Sequence, residues 1–181
     1  MSKRFALCIG GTNGIGNAIA RKLAMNNVNV AVVGRNRGAG EDLVDKLYEV
    51  NPQGRHFFLP CDAFLMKNIR HTCSTLKDHL PMLNYCVFTQ GIVSMQKRTE
   101  TIEGIDQKLA LHYYSRMQFI EELLPLLRKG VVAEREAKVL SILSAGEHQP
   151  YLQKADLGLK NDYTISDAAN AAGFYNDLML D

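Results

Sequence analysis

Short apolar runs and longer amphipathic stretches alternate along the whole chain. Five apolar runs have the length of β-strands and cover residues 4–9, 29–33, 56–60, 83–89 and 138–143. The spacing of apolar residues between them predicts helices over residues 15–25, 41–50, 64–80 and 103–129, and a last helix from about Tyr163 almost to the C-terminus. Residues 146–162 have mixed polarity and contain Pro150, which predicts a loop over the carboxyl edge of a sheet.

This alternation favours one fold class. Strands that are separated by helices are joined by right-handed crossovers, which give a parallel sheet with helices on both faces. The second run, Val30-Ala31-Val32-Val33, is apolar without alternation, as burial on both faces of a sheet requires. We therefore predict a Rossmann-type, doubly wound α/β/α sandwich of three layers, formed as a single domain by residues 1–181.

Composition and charge exclude several classes of partner. The chain has 181 residues, of which 46% are hydrophobic and 22% charged, and its formal net charge is +2. These values are ordinary for a soluble protein and give no reason to expect a nucleic-acid or membrane partner. Cys8, Cys61, Cys73 and Cys86 show no C-x-x-C spacing, so we expect free thiols, a reducing cytoplasmic setting and no metal site.

A glycine-rich turn between the first strand and the first helix predicts a phosphate-binding site. The turn reads Gly10-Gly11-Thr12-Asn13-Gly14-Ile15-Gly16. Gly10 allows the sharp exit from the strand, Gly14 lets the backbone approach a pyrophosphate, and Gly16 permits close packing of the helix against the sheet. The free N–H groups and the positive dipole end of the helix would then face the phosphates. Although such a pattern is often only a turn, its place between a strand and a helix indicates a dinucleotide site.

The G-x-x-x-G-x-G spacing of this turn resembles the short-chain dehydrogenase/reductase family, and later segments match that family in order over nearly the whole chain. The resemblance implies that the turn holds a nicotinamide dinucleotide through six residues: Gly10, Thr12, Asn13, Gly14, Ile15 and Gly16. It also implies that Asp62 contacts the adenine ring. Gly91 is retained at the end of Phe88-Thr89-Gln90-Gly91, where the family usually has Asn-Asn-Ala-Gly.

The end of the second strand bears on the choice of cofactor. An acidic residue there would bind the ribose 2′-hydroxyl of NAD(H), and the sequence Val33-Gly34-Arg35-Asn36 contains none. Arg35, followed by Asn36 and with Arg37 in reserve, offers a guanidinium to the 2′-phosphate of NADP(H). We therefore expect NADP(H) to be preferred, with NAD(H) as the alternative cofactor. The other interpretation of Arg35 is a solvated surface side chain.

The resemblance also implies a reaction centre, with one departure. In the family, a serine and a tyrosine hold the substrate carbonyl, the tyrosine donates a proton, and a lysine four residues later assists it. Ser144 and Tyr163 match the first two, but Asp167 replaces the lysine, and no tyrosine of this chain has a lysine four residues after it. Ser144 could instead be a strand-end serine that bonds local backbone. His112 falls where the family has a helix asparagine, and it is either a proton relay or a buried, hydrogen-bonded core residue.

Family members continue through two more strand–helix steps after the tyrosine helix. The resemblance therefore implies a sheet that is incomplete at its C-terminal edge, in either a part of a longer protein or a shortened family member. Two functions follow as hypotheses. One is an oxidoreductase that uses NADP(H) on a carbonyl or alcohol group of a small molecule, and the other is a catalytically weak or inactive NADP(H)-binding sensor or partner subunit. A homodimer through the two long helices is a further expectation of the resemblance.

Overall fold

Five parallel strands form the sheet at the centre of the molecule. The computed structural model describes residues 4–144 and 146–180. The strands are β1 (Phe5–Ile9), β2 (Asn29–Gly34), β3 (His56–Pro60), β4 (Tyr85–Phe88) and β5 (Lys138–Ser141), in the spatial order β3-β2-β1-β4-β5. Leu7 of β1 lies opposite Ala31 of β2 and Cys86 of β4. The first strand is therefore central, and the strand order reverses between β1 and β4.

Helices cover both faces of this sheet. They are α1 (Gly14–Met25), α2 (Arg37–Val50), α3 (Met66–His79), α4 (Gln107–Leu109), α5 (Ser115–Glu134) and α6 (Ile165–Leu180), with a π-helical turn, Ala110–Tyr114, joining α4 to α5. On one face, Val32 packs with Ala20 of α1 and Leu43 of α2. On the other face, Leu7 belongs to the same core as Leu76 of α3 and the α5 side chains. The predicted three-layer, doubly wound α/β sheet is confirmed.

Helix boundaries differ from the predicted ones where side chains from outside the helix bind its first amides. α3 begins at Met66 rather than at residue 64, because the amides of Met66 and Lys67 donate to the Glu103 carboxylate at 2.7 and 3.0 Å. The long helix begins at Gln107 rather than at residue 103, because Asp106 caps it. α2 begins earlier than predicted, since the Asn36 side chain accepts from the amide of Ala39 at 3.1 Å.

Two further boundaries affect the candidate reaction centre. β5 ends at Ser141, two residues before the predicted end, so Ser144 lies in the following loop. α6 begins at Ile165, so Tyr163 precedes the last helix and does not share a helical face with its residues.

No described helix is long and apolar enough to span a membrane.

All four cysteines are buried free thiols. Cys8 and Cys86 lie on the central strands, Cys61 follows β3, and Cys73 lies on the buried face of α3. Burial raises the pKa of the Cys8 thiol to about 12 and raises the pKa of the other three thiols as well. These side chains therefore serve as small apolar groups of the core.

Candidate functional site

The turn between β1 and α1 packs directly against the carboxyl end of β4. Gly10 has φ +78°, and a Cβ atom there would lie 2.5 Å from the backbone nitrogen of Gln90. A Cβ atom at Gly16 would overlap the Thr89 hydroxyl. Gly14 has φ +54°, but nothing lies within 4 Å of the position of a Cβ atom there. Gly10 and Gly16 therefore let the turn approach the sheet, while the space beside Gly14 is open to a ligand.

The first turn of α1 has no side-chain cap. Asn13 occupies the capping position, but its side chain makes no capping hydrogen bond, and the first turn contains no acidic residue. Uncapped N–H groups at a helix start carry a partial positive charge and bind phosphate oxygens. Together with the open space at Gly14, this arrangement fits the pyrophosphate of a dinucleotide.

A cleft of about 650 Å³ opens at the carboxyl ends of β1, β2 and β4. It lies where the strand order reverses, which is the place where open α/β sheets bind ligands. Six of the predicted cofactor residues line it: Gly10, Thr12, Asn13, Arg35, Asn36 and Gly91. Of the other four, Gly14 and Ile15 are exposed at the start of α1, Gly16 is buried, and Asp62 lines an adjoining cavity.

Two arginines near the end of β2 differ in their availability to a ligand. Arg35 is exposed, lines both the cleft and the adjoining cavity of about 390 Å³, and forms no ion pair within the part of the chain that the structure describes. The guanidinium of Arg37 lies 3.4 Å from the Glu41 carboxylate, one turn along α2. Among the described residues, Arg35 is therefore the free cation at this end of the cleft, in the sense that no carboxylate neutralises it.

The end of β4 is braced without the asparagines that the family usually has there. The Thr89 hydroxyl donates to the carbonyl of Ile9 at 3.0 Å and so ties β4 to β1. The side-chain amide of Gln90 donates to the Ser115 hydroxyl at 3.1 Å and ties the same segment to α5. Thr89 and Gln90 thus supply a structural connection between the strand end, its neighbouring strand and the long helix.

A smaller cavity of about 340 Å³ lies beside the cleft and contains two of the predicted catalytic residues. Leu111 lines the cleft and the next residue, His112, lines the cavity, which places the two openings side by side. Ser144 also lines the cavity, and its exposed hydroxyl has no hydrogen-bond partner among the described residues. Much of the remaining wall is apolar, formed by Ile92, Val93, Met95, Leu143, Ile165 and Ala169.

His112 lies between the cleft and the cavity, in the π-helical turn. Its Nε2 atom lies 3.2 Å from the amide nitrogen and 3.0 Å from the carbonyl oxygen of Ile92, and its Nδ1 atom is buried without a partner. A Cβ atom at Gly91 would lie 2.9 Å from His112 Cε1, so this glycine lets the ring approach the backbone. Burial lowers the pKa of His112, which favours the neutral imidazole near pH 7.

Tyr163 lies outside the cavity that holds Ser144 and His112. Its ring packs against a hydrophobic cluster formed by α6 and residues before it, among them Leu109 and Leu159, and its hydroxyl is buried with no partner among the described residues. The ammonium of Lys108 lies 5.4 Å from the centre of this ring and donates to the carbonyl of Gln96 at 2.7 Å. Lys108, on α4, also lines the cavity, so the Tyr163 ring contacts a side chain of the cavity wall although Tyr163 itself does not line it.

Asp167, at the position where the resemblance places a lysine, has a structural partner. Its carboxylate accepts a hydrogen bond from the Thr164 hydroxyl at 2.6 Å, and its amide donates to the same hydroxyl at 2.9 Å. Thr164 therefore caps the first turn of α6 with its hydroxyl. The Asp167 carboxylate holds that hydroxyl and places a negative charge at the positive end of the helix dipole, which stabilises the helix start.

Sequence reasoning missed a buried polar network behind the cavity. The Arg116 guanidinium donates to the hydroxyl of Ser141 at 2.5 Å and to the carbonyls of Ile142 and Gln90 at 3.1 and 2.7 Å. Ser141 in turn donates to Asn176 of α6 at 2.7 Å. The network joins the ends of β4 and β5 to two helices, and so holds the segments that carry Gly91 and Ser144.

A signal for Arg116 was present in the sequence. It lies seven residues after Leu109 and seven before Leu123, both fully buried, and this spacing returns to the same face of a helix.

Sequence reasoning also missed His148. Its Nε2 atom lies 2.8 Å from Asp177 Oδ2 at the wall of the cavity, and the 29 residues that separate the two leave no local motif.

Comparison with known proteins shows which proteins this chain is similar to. A family model described as short chain dehydrogenase matches residues 4–156. An oxidoreductase of Emericella nidulans is 36% identical over 165 residues, which are 90% of this chain and 48% of that protein. The chain spans about half the length of the curated relatives that it matches, with 48%, 42% and 54% of three of them covered.

Solved structures share the fold. The RhlG–NADP active-site complex of Pseudomonas aeruginosa aligns with a TM-score of 0.70 and 24% identity, over 98% of this chain and 65% of that one. A metagenomic short-chain oxidoreductase in complex with NADP aligns with a TM-score of 0.73 and 18% identity, over 98% of this chain and 73% of that one. Both likenesses concern the parallel sheet with its flanking helices.

Proposed function

Since this chain belongs to the short-chain dehydrogenase family, we propose that it binds NADP(H) and exchanges a hydride with a carbonyl or alcohol group of a small molecule. The observation that carries the proposal is the cleft at the strand-order reversal, where the glycine turn, the uncapped start of α1 and the unpaired Arg35 meet. Two solved relatives are described as complexes with NADP, which supports the same cofactor here.

Each part of the cofactor has candidate contacts in the chain. The amides at the start of α1 would bind the pyrophosphate beside Gly14, and Asn13 would approach the same group. Arg35 would bind the 2′-phosphate through its N–H groups, with Asn36 beside it, and Asp62 would contact the adenine. Bound nicotinamide supplies the hydride for the reaction.

The chain's own groups would hold the substrate and its proton. Ser144 would donate a hydrogen bond to the substrate oxygen from the wall of the cavity, and the apolar lining would exclude water. Tyr163 is the proposed proton donor and His112 a proposed relay. Because the Tyr163 hydroxyl is buried outside the cavity, its role requires that the segment before α6 move towards Ser144 when ligands bind.

A titration with NADPH and with NADH, at low and moderate salt, tests the cofactor proposal. We expect tighter binding of NADPH, with a loss of that advantage in Arg35→Ala and a weaker effect in the control Arg37→Ala, whose guanidinium is paired with Glu41. Equal affinity for the two cofactors would overturn the NADP(H) preference. Absence of binding would overturn the cofactor proposal for this chain.

A second candidate function is NADP(H) binding with little or no turnover, as a sensor or partner subunit. The position of Tyr163 outside the cavity and the hydrogen bond between Asp167 and the Thr164 hydroxyl favour it. Reductase assays with aromatic and aliphatic carbonyl probes separate the two functions. Activity that falls at least tenfold in Tyr163→Phe supports the oxidoreductase, whereas activity that is unchanged contradicts the proposed role of Tyr163.

Assembly and location belong to the same proposal. We infer a homodimer formed through α5 and α6, both of which expose apolar side chains: Leu124, Val131, Val132, Leu178 and Leu180. A cytoplasmic location agrees with four buried cysteines that form no disulfide.

A further inference from the structure

The free cation of the cofactor cleft rests on an aromatic ring. The guanidinium carbon of Arg35 lies 5.2 Å from the centre of the Phe64 ring. Arg35 follows β2, whereas Phe64 lies in the turn between β3 and α3, so the contact joins two loops at the carboxyl edge of the sheet. A cation over the face of a ring is attracted by the electron density of that face, and arginine makes this contact more often than lysine.

The ring that supports Arg35 is held in place from several directions. Phe64 is half-buried and packs against the core beneath α3. Its amide donates to Asp62 Oδ1 at 3.2 Å, which closes the turn on one side. On the other side, the amides of Met66 and Lys67 at the start of α3 donate to the Glu103 carboxylate at 2.7 and 3.0 Å.

The contact leaves the arginine ready for an anion. Stacking uses the face of a guanidinium, whereas phosphate oxygens are bound by the N–H groups at its edge, so the two interactions are compatible. An exposed arginine without such a contact loses side-chain freedom when it binds a ligand. A side chain that is already positioned loses less and binds more tightly.

We propose that Phe64 is a specificity-determining residue, whose ring positions the Arg35 guanidinium at the mouth of the cleft for the 2′-phosphate of NADP(H). The inference rests on the proposed NADP(H) binding and deepens it. It attributes the preference for NADP(H) over NAD(H) to Arg35 and Phe64, which lie in two different loops. NADH lacks the 2′-phosphate, so its affinity should not depend on the ring.

Direct binding of NADPH and NADH to the whole chain, measured by calorimetry, tests this role. Phe64→Leu keeps an apolar side chain but removes the ring face, and we expect about a two- to fivefold loss of NADPH affinity with NADH affinity unchanged. Phe64→Tyr keeps the face and should retain the wild-type ratio of the two affinities. Phe57→Leu, at a half-buried ring that lies 5.9 Å from His79, is the matched control and should leave the ratio unchanged.

A double-mutant cycle with Arg35→Ala makes the outcome decisive. In the Arg35→Ala background, Phe64→Leu should have no further effect on NADPH affinity, because the ring acts through the guanidinium. An equal loss of NADPH and NADH affinity in Phe64→Leu would overturn the inference, since it would indicate a damaged cleft. An unchanged NADPH affinity would overturn it as well. NADPH binding that Arg35→Ala weakens and Phe64→Leu does not would reject this inference and leave the proposed function intact, whereas no NADPH binding by the unaltered chain rejects both.

Discussion

Arg116 has 1% of its surface exposed and no carboxylate partner in the described part of the chain. Burial lowers the pKa of its guanidinium to about 10. Removing the side chain would leave the carbonyls of Gln90 and Ile142 without these donors while relieving the cost of a buried charge. An unsatisfied buried acceptor costs more than a typical hydrogen bond contributes.

We therefore expect Arg116→Met to lower the free energy of unfolding by about 2 kcal/mol, measured by urea denaturation. Arg128→Met is a control on the same helix, because Arg128 is exposed, and it should change stability by less than about 0.5 kcal/mol. Wild-type stability of Arg116→Met would contradict the structural role of this network.

His56 gives the fold a dependence on pH. Its Nδ1 atom lies 3.2 Å from the amide of Val30 as an acceptor, and its Nε2 atom lies 3.2 Å from the carbonyl of Asn51. Burial lowers the pKa of His56 in the folded state, although the bond to Asn51 acts in the opposite direction. A proton on Nδ1 would also remove the acceptor that faces Val30.

The sign of the effect follows from proton linkage. Below the unfolded-state pKa of about 6.5, the unfolded chain binds this proton more strongly than the folded chain does. Stability is therefore full above that pKa and falls with decreasing pH until the lower folded-state pKa is reached. Urea midpoints at pH 7.5 and 5.5 should differ less in His56→Gln than in the wild type. An equal difference in both proteins would assign the acid sensitivity to other groups. The first of these to examine is His112, because burial lowers its pKa as well.

At the scale of elements, the start of α6 depends on the pair formed by Thr164 and Asp167. Asp167→Lys removes the carboxylate that accepts from the Thr164 hydroxyl and places a cation at the positive end of the helix dipole. We expect a loss of about 1–2 kcal/mol in stability and faster amide hydrogen exchange in the first turn of α6. Asp162→Lys makes the same charge change at an exposed position before the helix and should have a smaller effect. Equal exchange rates in the two variants would contradict the capping role.

This role also changes how a gain-of-function test is interpreted. A lysine at position 167 would remove the acceptor of the Thr164 hydroxyl and weaken the start of α6, so absence of turnover in Asp167→Lys would not by itself exclude an active-site role for Tyr163. Asp167→Asn keeps an oxygen that can accept from Thr164 and so separates the loss of charge from the loss of this hydrogen bond.

The strands were easier to predict than the ends of the helices. Residues 29–33 and 56–60 were predicted as strands and lie in β2 and β3, because both are apolar runs of strand length; β2 is buried inside the sheet and β3 is half-buried at its edge. The start of α3 depends on Glu103, which lies 36 residues beyond Lys67 and whose role no local pattern could reveal. The π-helical turn that carries His112 likewise has no recognised sequence signal. Local periodicity therefore predicts which elements form, whereas capping side chains decide where they begin, and the cap of α3 comes from a distant part of the chain.

At the scale of the whole molecule, the proposed dimer can be tested on its exposed helices. Val132 on α5 has 85% of its surface exposed, which is unusual for a large apolar side chain. Val132→Glu should convert the dimer to a monomer in sedimentation experiments, because it places a charge in an apolar contact. Leu140→Lys alters β5, at the edge of the described sheet, and should leave the dimer intact. Dissociation by Leu140→Lys alone would locate the contact at the sheet edge instead.

The two openings differ in how far the sequence predicted them. The cleft could be predicted, because Gly10, Gly16 and Arg35 lie within a few residues of strand ends, and the two glycines act through local backbone geometry. The cavity could be predicted only in part, because Ser144 and His112 meet there while Tyr163 lies outside. Tyr163 packs against a hydrophobic cluster that α6 forms with distant residues such as Leu109, and a match to a family motif does not report such long-range contacts.

The four buried thiols also provide a way to observe the protein opening. Each lies in the core with a raised pKa, so a thiol-reactive dye can modify it only after the surrounding structure separates. In single-cysteine variants that retain Cys8 or Cys73, the labelling rate would therefore report how often each of two different parts of the core opens. If NADPH slows labelling at Cys8 more than at Cys73, the ligand suppresses fluctuations of the central strand more than those of α3. The labelling rates would then map, without any added probe site, how far the influence of a bound nucleotide extends through the fold.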